Sequence, residues 1–382
     1  MTVLLGFLVV CAVATVIGVV ALWPDSGKVD ALREKAQFAA PGVTFPKAEV
    51  LAVRGDKVTA RLTEGPEKGT EAEVGVPPAV ARSGLAKGDT VRLMRVPGDT
   101  GGGSPYSFVD VVRSTPLWIL WVVFVLVVAL VARLRGILAL VALGFGGLVL
   151  VEFMLPALLS GSSGLAVALV GSAAIMFVVL YLAHGPSVRT SAALAGTLLG
   201  VGITAAVGQL AIHGATLSGF ADEDAALLSA FAGTLSFQGL LTCALVVAGL
   251  GVLNDVTITQ ASAVWELREA GPELTRRQLF TSGMRIGRDH IASTIYTIVF
   301  AYAGSALAVL LLLTLYDRPL GQLLSSETIA EEIVRTLASG IGLVLAVPVT
   351  TLIAAFTVAG PRGGRQPVRR ERGEREEDLE PI

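Results

Sequence analysis

Residues 117–132 read LWILWVVFVLVVALVA and residues 136–155 read GILALVALGFGGLVLVEFML, with only Arg-Leu-Arg between them. A helix needs about 20 apolar residues to cross a hydrocarbon core about 30 Å thick. Both stretches approach that length, and Glu152 is the only ionisable side chain that they contain. They therefore predict two membrane spans joined by a short basic turn.

Six further apolar runs extend this prediction along the chain. The run before Asn254 and Asp255 is the weakest, because these two polar residues cut it short. It spans a membrane only if its helix also uses residues 227–235, or if it is tilted or broken. Together the runs predict a polytopic α-helical membrane protein with about eight transmembrane helices. The six are residues 2–23, 164–183, 187–212, 239–253, 291–315 and 333–358.

Composition favours a membrane environment over water. The 382 residues are 53% apolar and 16% charged, with a mean hydropathy of +0.72, whereas soluble domains carry about 25% charged residues. The net charge of −2 gives no attraction to nucleic acid. Cys11 and Cys243 lie in apolar runs, which argues against a disulfide framework or a metal site. GxxxxGK[ST], HExxH and GxSxG motifs are absent, so we expect no enzyme, no cofactor and no nucleic-acid partner.

Arginines predict the orientation of the spans. They follow the second, fourth, sixth and eighth runs, while the alternate loops are neutral or acidic. Because cytoplasmic loops carry an excess of Lys and Arg, both termini are expected in the cytoplasm. The arginines at the internal exits are Arg133, Arg135, Arg189, Arg268, Arg276, Arg277, Arg285 and Arg288.

One polar segment, residues 24–114, interrupts the apolar runs. It predicts short strands at 48–53, 57–62, 71–76, 90–96 and 106–112, separated by turn signals such as Gly55-Asp56 and Gly98-Asp99. Five short strands favour a small all-β barrel or sandwich of OB-like size, which the orientation places outside the cytoplasm.

The domain plan follows from these segments. The first run lacks a basic start and ends in Ala21-Leu22-Trp23, a poor cleavage site, so we expect an uncleaved anchor. The mixed-charge tail predicts disorder. The plan is an N-terminal anchor at 1–23, a β domain at 24–114, a seven-helix transmembrane domain at 115–360 and a tail at 361–382.

Polar side chains near the sixth run are candidate functional groups, because such groups are costly inside a membrane. Asp255, Thr259, Ser262 and Glu266 follow at spacings of four, three and four, which places them on one face of a helix. In transporters, helix ends that point into a cavity bind ions. Alternatively, Asp255 lies at the membrane interface and caps the helix that runs through Trp265.

A second polar stripe begins the seventh run with Arg288 and Asp289. Either Asp289 pairs with Arg285, four residues earlier, or Arg288 reaches across to Asp255 or Glu266 and neutralises a charge inside the membrane. The spacing leaves both pairings open. We take Asp255, Thr259, Ser262, Glu266, Arg288 and Asp289 as the candidate pathway residues.

Three stretches carry a family resemblance. Residues 251–266 contain the Asp255-Val256 and Ser262-Ala263 pairs, residues 282–289 read SGMRIGRD, and residues 332–350 read EIVRTLASGIGLVLAVPVT. With the anchor and a β domain ending in YSFVDVVR, they resemble the YibE/F-like family of bacterial multi-pass membrane proteins. The resemblance covers most of the chain outside the tail and implies a bacterial plasma-membrane protein, and its motifs mark the family without specifying its chemistry.

Two functions fit these features. The first is a transporter or channel-like protein for an ion or small solute, with Asp255 and Arg288 near the pathway and an ion gradient or a partner ATPase as energy source. The second is a non-transporting scaffold or assembly factor whose outward β domain binds a protein partner. In both functions the lipid bilayer surrounds the helices as a partner. The sequence specifies no substrate, coupling ion or oligomeric state.

Overall fold

The computed structural model describes residues 1–36, 40–97, 104–221, 223–315 and 319–361. The Gly98-Asp99 turn and all but the first residue of the tail, for which the sequence predicts disorder, lie outside the described residues. The chain forms two compact units, Asp30–Leu140 and Met1–Val29 with Val141–Ile382.

The smaller unit contains a five-stranded antiparallel sheet in the order β3-β2-β1-β4-β5. All five predicted strands form, each end within one residue of its predicted position. β3 also lies beside β5, which curls the sheet into a half-barrel. The strands are β1 (Lys47–Arg54), β2 (Lys57–Leu62), β3 (Glu71–Gly75), β4 (Thr90–Arg95) and β5 (Tyr106–Val111), and the short helices are α2 (Ser26–Lys35, which begins in the larger unit) and α3 (Pro78–Arg82).

The sheet buries one face, as the alternation of its sequence predicts. Val50, Val58 and Leu93 are fully or almost fully buried in one apolar cluster that draws on β1, β2 and β4. The polar residues between them face solvent, where Lys57 donates to Glu73 at 2.8 Å and Arg61 to Glu71 at 2.8 Å. Such exposed pairs stabilise little, so the apolar cluster carries most of the stability of the half-barrel.

Glu67 links the loop between β2 and β3 to the far side of the sheet. It accepts hydrogen bonds from the Tyr106 hydroxyl at 2.5 Å and from the Arg95 guanidinium at 2.6 Å. The Tyr106 hydrogen bond, followed by that of Arg95, holds the pKa of the Glu67 carboxyl below its usual value. A carboxyl with a lowered folded-state pKa stabilises the fold above its unfolded pKa, about 4.3, and that contribution is lost as pH falls through the folded-state pKa.

Replacing Glu67 by glutamine is expected to speed amide hydrogen exchange in β4 and β5 at neutral pH. The difference from the unaltered chain should shrink as pH falls from about 4.3 through the lowered folded-state pKa, because the native carboxyl then becomes protonated as well. Exchange followed by mass spectrometry on the full chain measures both effects. Glu49→Gln, at an exposed position on β1, is the control; equal exchange in the Glu67 and Glu49 variants at pH 7 would contradict the expectation.

The larger unit is a bundle of long apolar helices with α7, α9 and α13 at its centre. A π-helical turn, Leu150–Met154, joins α4 to α5. The helices are α1 (Thr2–Ala21), α4 (Ser114–Val149, which begins in the smaller unit), α5 (Leu155–Leu159), α6 (Gly164–His184), α7 (Val188–Gly214), α8 (Glu223–Phe231), α9 (Phe237–Ala270), α10 (Arg276–Ser305), α11 (Leu307–Leu315), α12 (Leu320–Leu324) and α13 (Glu327–Thr357).

Within the described ranges, six helical segments are long and apolar enough to cross a membrane. They are α1, the continuous segment Ser114–Leu159, α6, α7, α9 and α13. The pair α10 and α11, bent by 65°, makes seven if it is counted as one span. The protein is thus embedded in a membrane. The number of candidate spans is lower than the eight that the sequence predicts, because the runs 117–132 and 136–155 fall in one 46-residue segment.

That segment is sharply bent at Arg133, whose backbone has a φ of 52° and a ψ of −138°. A Cβ atom at Gly136 would lie 2.7 Å from the Val128 carbonyl oxygen. In a straight helix, residues eight apart are separated by about 12 Å along the axis. The chain therefore turns back on itself at the predicted Arg-Leu-Arg turn.

Helix α9 corrects the expectation for the weak sixth run. It begins at Phe237, after residues 227–235, and continues without a break to Ala270. The helix gains its length by running past Asn254 and Asp255 rather than by using the upstream residues. These two residues cost under about 1 kcal/mol each in a helix, and the packing of α9 against α7 and α13 offsets that cost.

The two ends of the bundle differ in charge. At one end, Arg268 donates to the carbonyl oxygens of Pro272 and Leu274 in the turn between α9 and α10. Arg276 lies there over the ring of Phe356, near the end of α13. We call this the basic end; α7 also begins there. At the opposite end, Glu327 accepts a hydrogen bond from the Ser218 amide at 2.6 Å.

Candidate functional site

Asp255 lies far from both ends of the bundle. Its neighbour Thr257 on α9 is hydrogen-bonded to Thr197 on α7, with 2.6 Å between the hydroxyl oxygens. Thr197 is nine residues beyond Val188, the first residue of α7, which is about 13 Å from the basic end. Asp255 is two residues deeper, at about 16 Å, so it lies near the middle of a bilayer that α7 would cross.

The predicted polar stripe of α9 forms on one face and points away from the bundle. Asp255, Thr259 and Glu266 are exposed, and Ser262 is half-buried. The side chain of Asp255 is 70% exposed. Because Asp255 lies in the interior of a continuous helix, it caps no helix end.

Helix α10 also exposes Arg288 and Asp289 on the outside of the bundle. Their depth follows from the neighbouring glycine, since a Cβ atom at Gly287 would lie 2.7 Å from Val347 and 3.0 Å from the Gln260 side-chain oxygen. Arg288 and Asp289 therefore stand nearly level with Gln260. We call Asp255, Thr259, Ser262, Glu266, Arg288 and Asp289 the polar face.

The closest charged contact between the two helices involves His290. Its Nε2 atom lies 4.0 Å from Asp255 Oδ2. The pairings suggested by the sequence, Arg288 with Asp255 or Glu266 and Arg285 with Asp289, do not form as ion pairs within 4.0 Å in the described part of the chain. The side-chain oxygen of Asn254, next to Asp255, is buried and has no hydrogen-bond partner among the described residues.

Behind the polar face, Gln260 ties three helices together. Its side chain is 2% exposed, and its amide nitrogen donates to the Gly283 carbonyl and to the Thr351 hydroxyl, both at 2.8 Å. Glycines 283 and 287 leave room for this amide, since a Cβ at either would approach Gln260. Gln260 therefore fixes α10 and α13 against α9 at the depth of the polar face.

A second polar cluster occupies the half of the bundle away from the basic end. Arg335 donates to Glu332 at 2.5 Å on α13, and the side chains are 23% and 28% exposed. The Tyr302 hydroxyl of α10 approaches Ser339. We call these four residues the outer cluster.

The sequence did not suggest the outer cluster, because the apolar run begins at residue 333 and leaves Glu332 in the preceding loop. In the structure α13 begins at Glu327, which brings Glu332 and Arg335 into the helix. Their spacing of three residues, which matches one face of a helix, was the signal that could have revealed them.

An apolar layer separates the polar face from the outer cluster. Val256 of α9, Ile298 of α10, and Leu343 and Val347 of α13 are all buried in it. The two polar regions and this layer lie on the same three helices.

Two further sequence features are placed by the structure. Glu152, the lone carboxylate of the third run, is exposed in the π-helical turn. A group of three or more His, Cys, Asp or Glu side chains able to hold a metal does not occur in the part of the chain that the structure describes.

Comparison with known families matches residues 120–360 to the model described as YibE/F-like protein. The match covers more than half of the chain and includes the polar face and the outer cluster. Neither the curated proteins nor the solved structures contain a match.

Proposed function

Because the chain belongs to the YibE/F-like protein family, we propose that it is a transporter or channel-like protein for an ion or small solute in the bacterial plasma membrane. The observation that carries the proposal is the polar face. Asp255, Arg288 and Asp289 are exposed on the outside of the chain at a depth where lipid would surround them. A charged side chain at such a depth costs several kcal/mol against lipid, so water or a solute must solvate this face.

The proposed topology has eight spans, with the bend at Arg133 separating the second from the third. The arginines of the basic end favour a cytoplasmic location for that end. Both termini are then cytoplasmic, and the half-barrel lies outside. In this orientation the polar face opens toward the cytoplasm and the outer cluster toward the outside.

The proposed path runs along α9, α10 and α13. A solute enters at the polar face, where carboxylates and arginines accept either sign of charge, and passes the apolar layer to reach the outer cluster. Hydrophobic constrictions of this kind close pores by excluding water. A groove of about 340 Å³ between α10 and α13, lined by Ile298, Gly340 and Val344 among others, gives α10 room to move and open the layer.

Ion flux into vesicles tests the proposal. Purified protein is reconstituted, and the fluxes of H⁺, Na⁺, K⁺ and Cl⁻ are measured with fluorescent probes under imposed gradients. Asp255→Asn and Arg288→Gln are expected to lower the flux of the transported ion at least about tenfold, which corresponds to 1.4 kcal/mol on the barrier.

Glu269→Gln is the matched control, because Glu269 is an exposed carboxylate on α9 beyond the polar face. It should leave the flux unchanged. Equal flux in the chain with Asp255→Asn, the chain with Arg288→Gln and the unaltered chain, with folding intact, would overturn the proposal and favour the scaffold.

A further inference from the structure

We infer that Asp255 and His290 form a proton-binding site on the pathway, so that the ion moved is the proton. The inference deepens the proposed function and rests on it for movement across the membrane. The site itself rests on three observations: the geometry of the pair, the charge that the pair carries in its surroundings, and the polar side chains that lead to it from the basic end.

The first observation is the geometry of the pair. The Nε2 atom of His290 lies 4.0 Å from the Oδ2 atom of Asp255. This nitrogen is buried and has no hydrogen-bond partner among the described residues. A polar contact of this length accommodates one bridging water, through which a proton can pass between the imidazole and the carboxylate. Both side chains gain and lose protons, so the pair is able to bind a proton near the middle of the membrane.

The second observation is that the charge of the pair is set by its own protons. On α9, Asp255 is the only ionisable residue in 251–259. On α10, Arg288 and Asp289 are the nearest charged residues to His290 along the chain. They lie about 200° and about 100° around the helix from it, at about 100° per residue. Neither of them therefore faces the contact between His290 and Asp255.

The neighbouring helices add no charge at this depth. Residues 194–204 of α7 and 339–351 of α13 pack beside this part of α9, through contacts such as those of Thr197 with Thr257 and of Gln260 with Thr351, and neither range contains an ionisable residue. Helix α6 also contacts α9. Its only ionisable side chains are in its last turn, at Tyr181 and His184.

Such an isolated pair is neutral only when it holds one proton. With the carboxylate ionised and the imidazole neutral, the pair carries one negative charge. Uptake of a proton from water gives a carboxylate beside an imidazolium, which together are neutral, and release of that proton to water restores the negative charge. A net charge is costly where lipid or apolar side chains surround it. The pair is therefore stable in either state beside water, but only with its proton where water is excluded.

The third observation is the route to the pair. Thr259, Ser262 and Glu266 continue the face of α9 that carries Asp255 toward the basic end, each about one turn from the next. A hydroxyl both donates and accepts hydrogen bonds, so these side chains, with water between them, can pass a proton from the cytoplasm to the pair. On the other side Ile291, the residue after His290, packs against the apolar layer. The pair thus lies at the cytoplasmic edge of that layer.

The donor atoms of the pair favour a proton over a metal cation. Hard cations take about six oxygen ligands, and imidazole nitrogen suits transition metals that bind several side chains. The pair provides one carboxylate and one imidazole. In the described ranges no further His, Cys, Asp or Glu joins them in a group of three. A proton needs only one acceptor atom.

Histidine modification of the full chain tests whether the pair binds a proton. Diethyl pyrocarbonate attacks the neutral imidazole and not the imidazolium, and mass spectrometry follows each histidine separately. At about pH 6.5, Asp255→Asn should speed the modification of His290 at least about threefold, because a nearby carboxylate favours the charged imidazolium. At about pH 8.5, where imidazoles are neutral, His290 should react alike in the unaltered chain and the variant.

His213, which is exposed in the last turn of α7, is the control within the same molecule. Its rate should not respond to Asp255→Asn at either pH. Equal rates for His290 in the two chains at the lower pH would overturn the inference. So would the same acceleration at both pH values, because the substitution would then have changed access to His290 and not its proton.

Proton flux into vesicles tests whether the bound proton moves. With a pH-sensitive dye inside the vesicles, His290→Gln should lower the H⁺ flux at least about tenfold, since a positioned acid–base group is lost, while His213→Gln leaves it unchanged. Flux of Na⁺, K⁺ or Cl⁻ without H⁺ flux, or H⁺ flux that His290→Gln does not alter, would overturn the inference and leave the proposed function standing. Flux of no ion would contradict the proposed function and with it the movement of the proton, while the modification rates still decide the site.

Discussion

Valine in place of Gly164 is expected to destabilise the bundle by about 3 kcal/mol, at the upper end of the range for overpacked cores. Gly164 begins α6, and a Cβ atom there would lie 2.0 Å from the carbonyl oxygen of Gly239 at the start of α9. The contact is with backbone, so no change of side-chain rotamer relieves it. The two helices must separate, and the central packing of α9 separates with them.

Thermal unfolding in detergent, followed by size-exclusion chromatography, measures this effect as a lower midpoint temperature. Gly202→Val is the control, because Gly202 lies on α7 with open space where its Cβ would stand. The control should unfold near the temperature of the unaltered protein. Equal midpoints for the two variants would contradict the close approach of α6 and α9.

Local patterns in the sequence predicted much of the fold. The five strands follow from the alternation of apolar residues and from turn signals such as Gly55-Asp56, and each forms within a residue of its expected ends. The apolar runs likewise predicted α1, α6 and α7 almost to their ends. The positions of these elements are determined by local composition and by the period at which apolar residues recur. Both can be read from a single sequence.

The lengths of α9 and α13 could not be predicted in the same way. The apolar run in α9 ends before Asn254, and the apolar run in α13 begins after Glu332. Both helices nevertheless continue through these residues. Helix ends inside a bundle are determined by packing between helices, such as the approach of Gly249 to Ser339, and such contacts leave no periodic signal. The outer cluster was missed for this reason.

The helix face that carries the α9 candidate residues was predicted in part. The spacing from Asp255 to Glu266 correctly indicated one face of a helix, but spacing does not reveal whether that face points into the bundle or out of it. In the structure this face of α9 points away from the bundle. The contact of His290 with Asp255 depends on how α10 packs on α9, which in turn depends on Gly283 and Gly287 beside Gln260.

Water at the depth of the polar face is the central claim, and thiol labelling tests it most directly. Helix α1 begins at the basic end, where Met1 lies beside Phe356 and Thr357. In a chain carrying Cys11→Ser and Cys243→Ser, Thr259→Cys places a thiol about 10 Å from the basic end, while Val10→Cys places one about 12 Å along α1 from the same end. Both side chains are exposed. A charged, membrane-impermeant thiosulfonate reacts with the thiolate, which forms only where water reaches the thiol.

From the cytoplasmic side of inverted membrane vesicles, Thr259→Cys is expected to react at least about tenfold faster than Val10→Cys. Unfolded protein is excluded by confirming that both variants elute as single species in detergent. If Thr259→Cys reacts as slowly as Val10→Cys, the polar face is dry, and the proposed pathway along it is wrong.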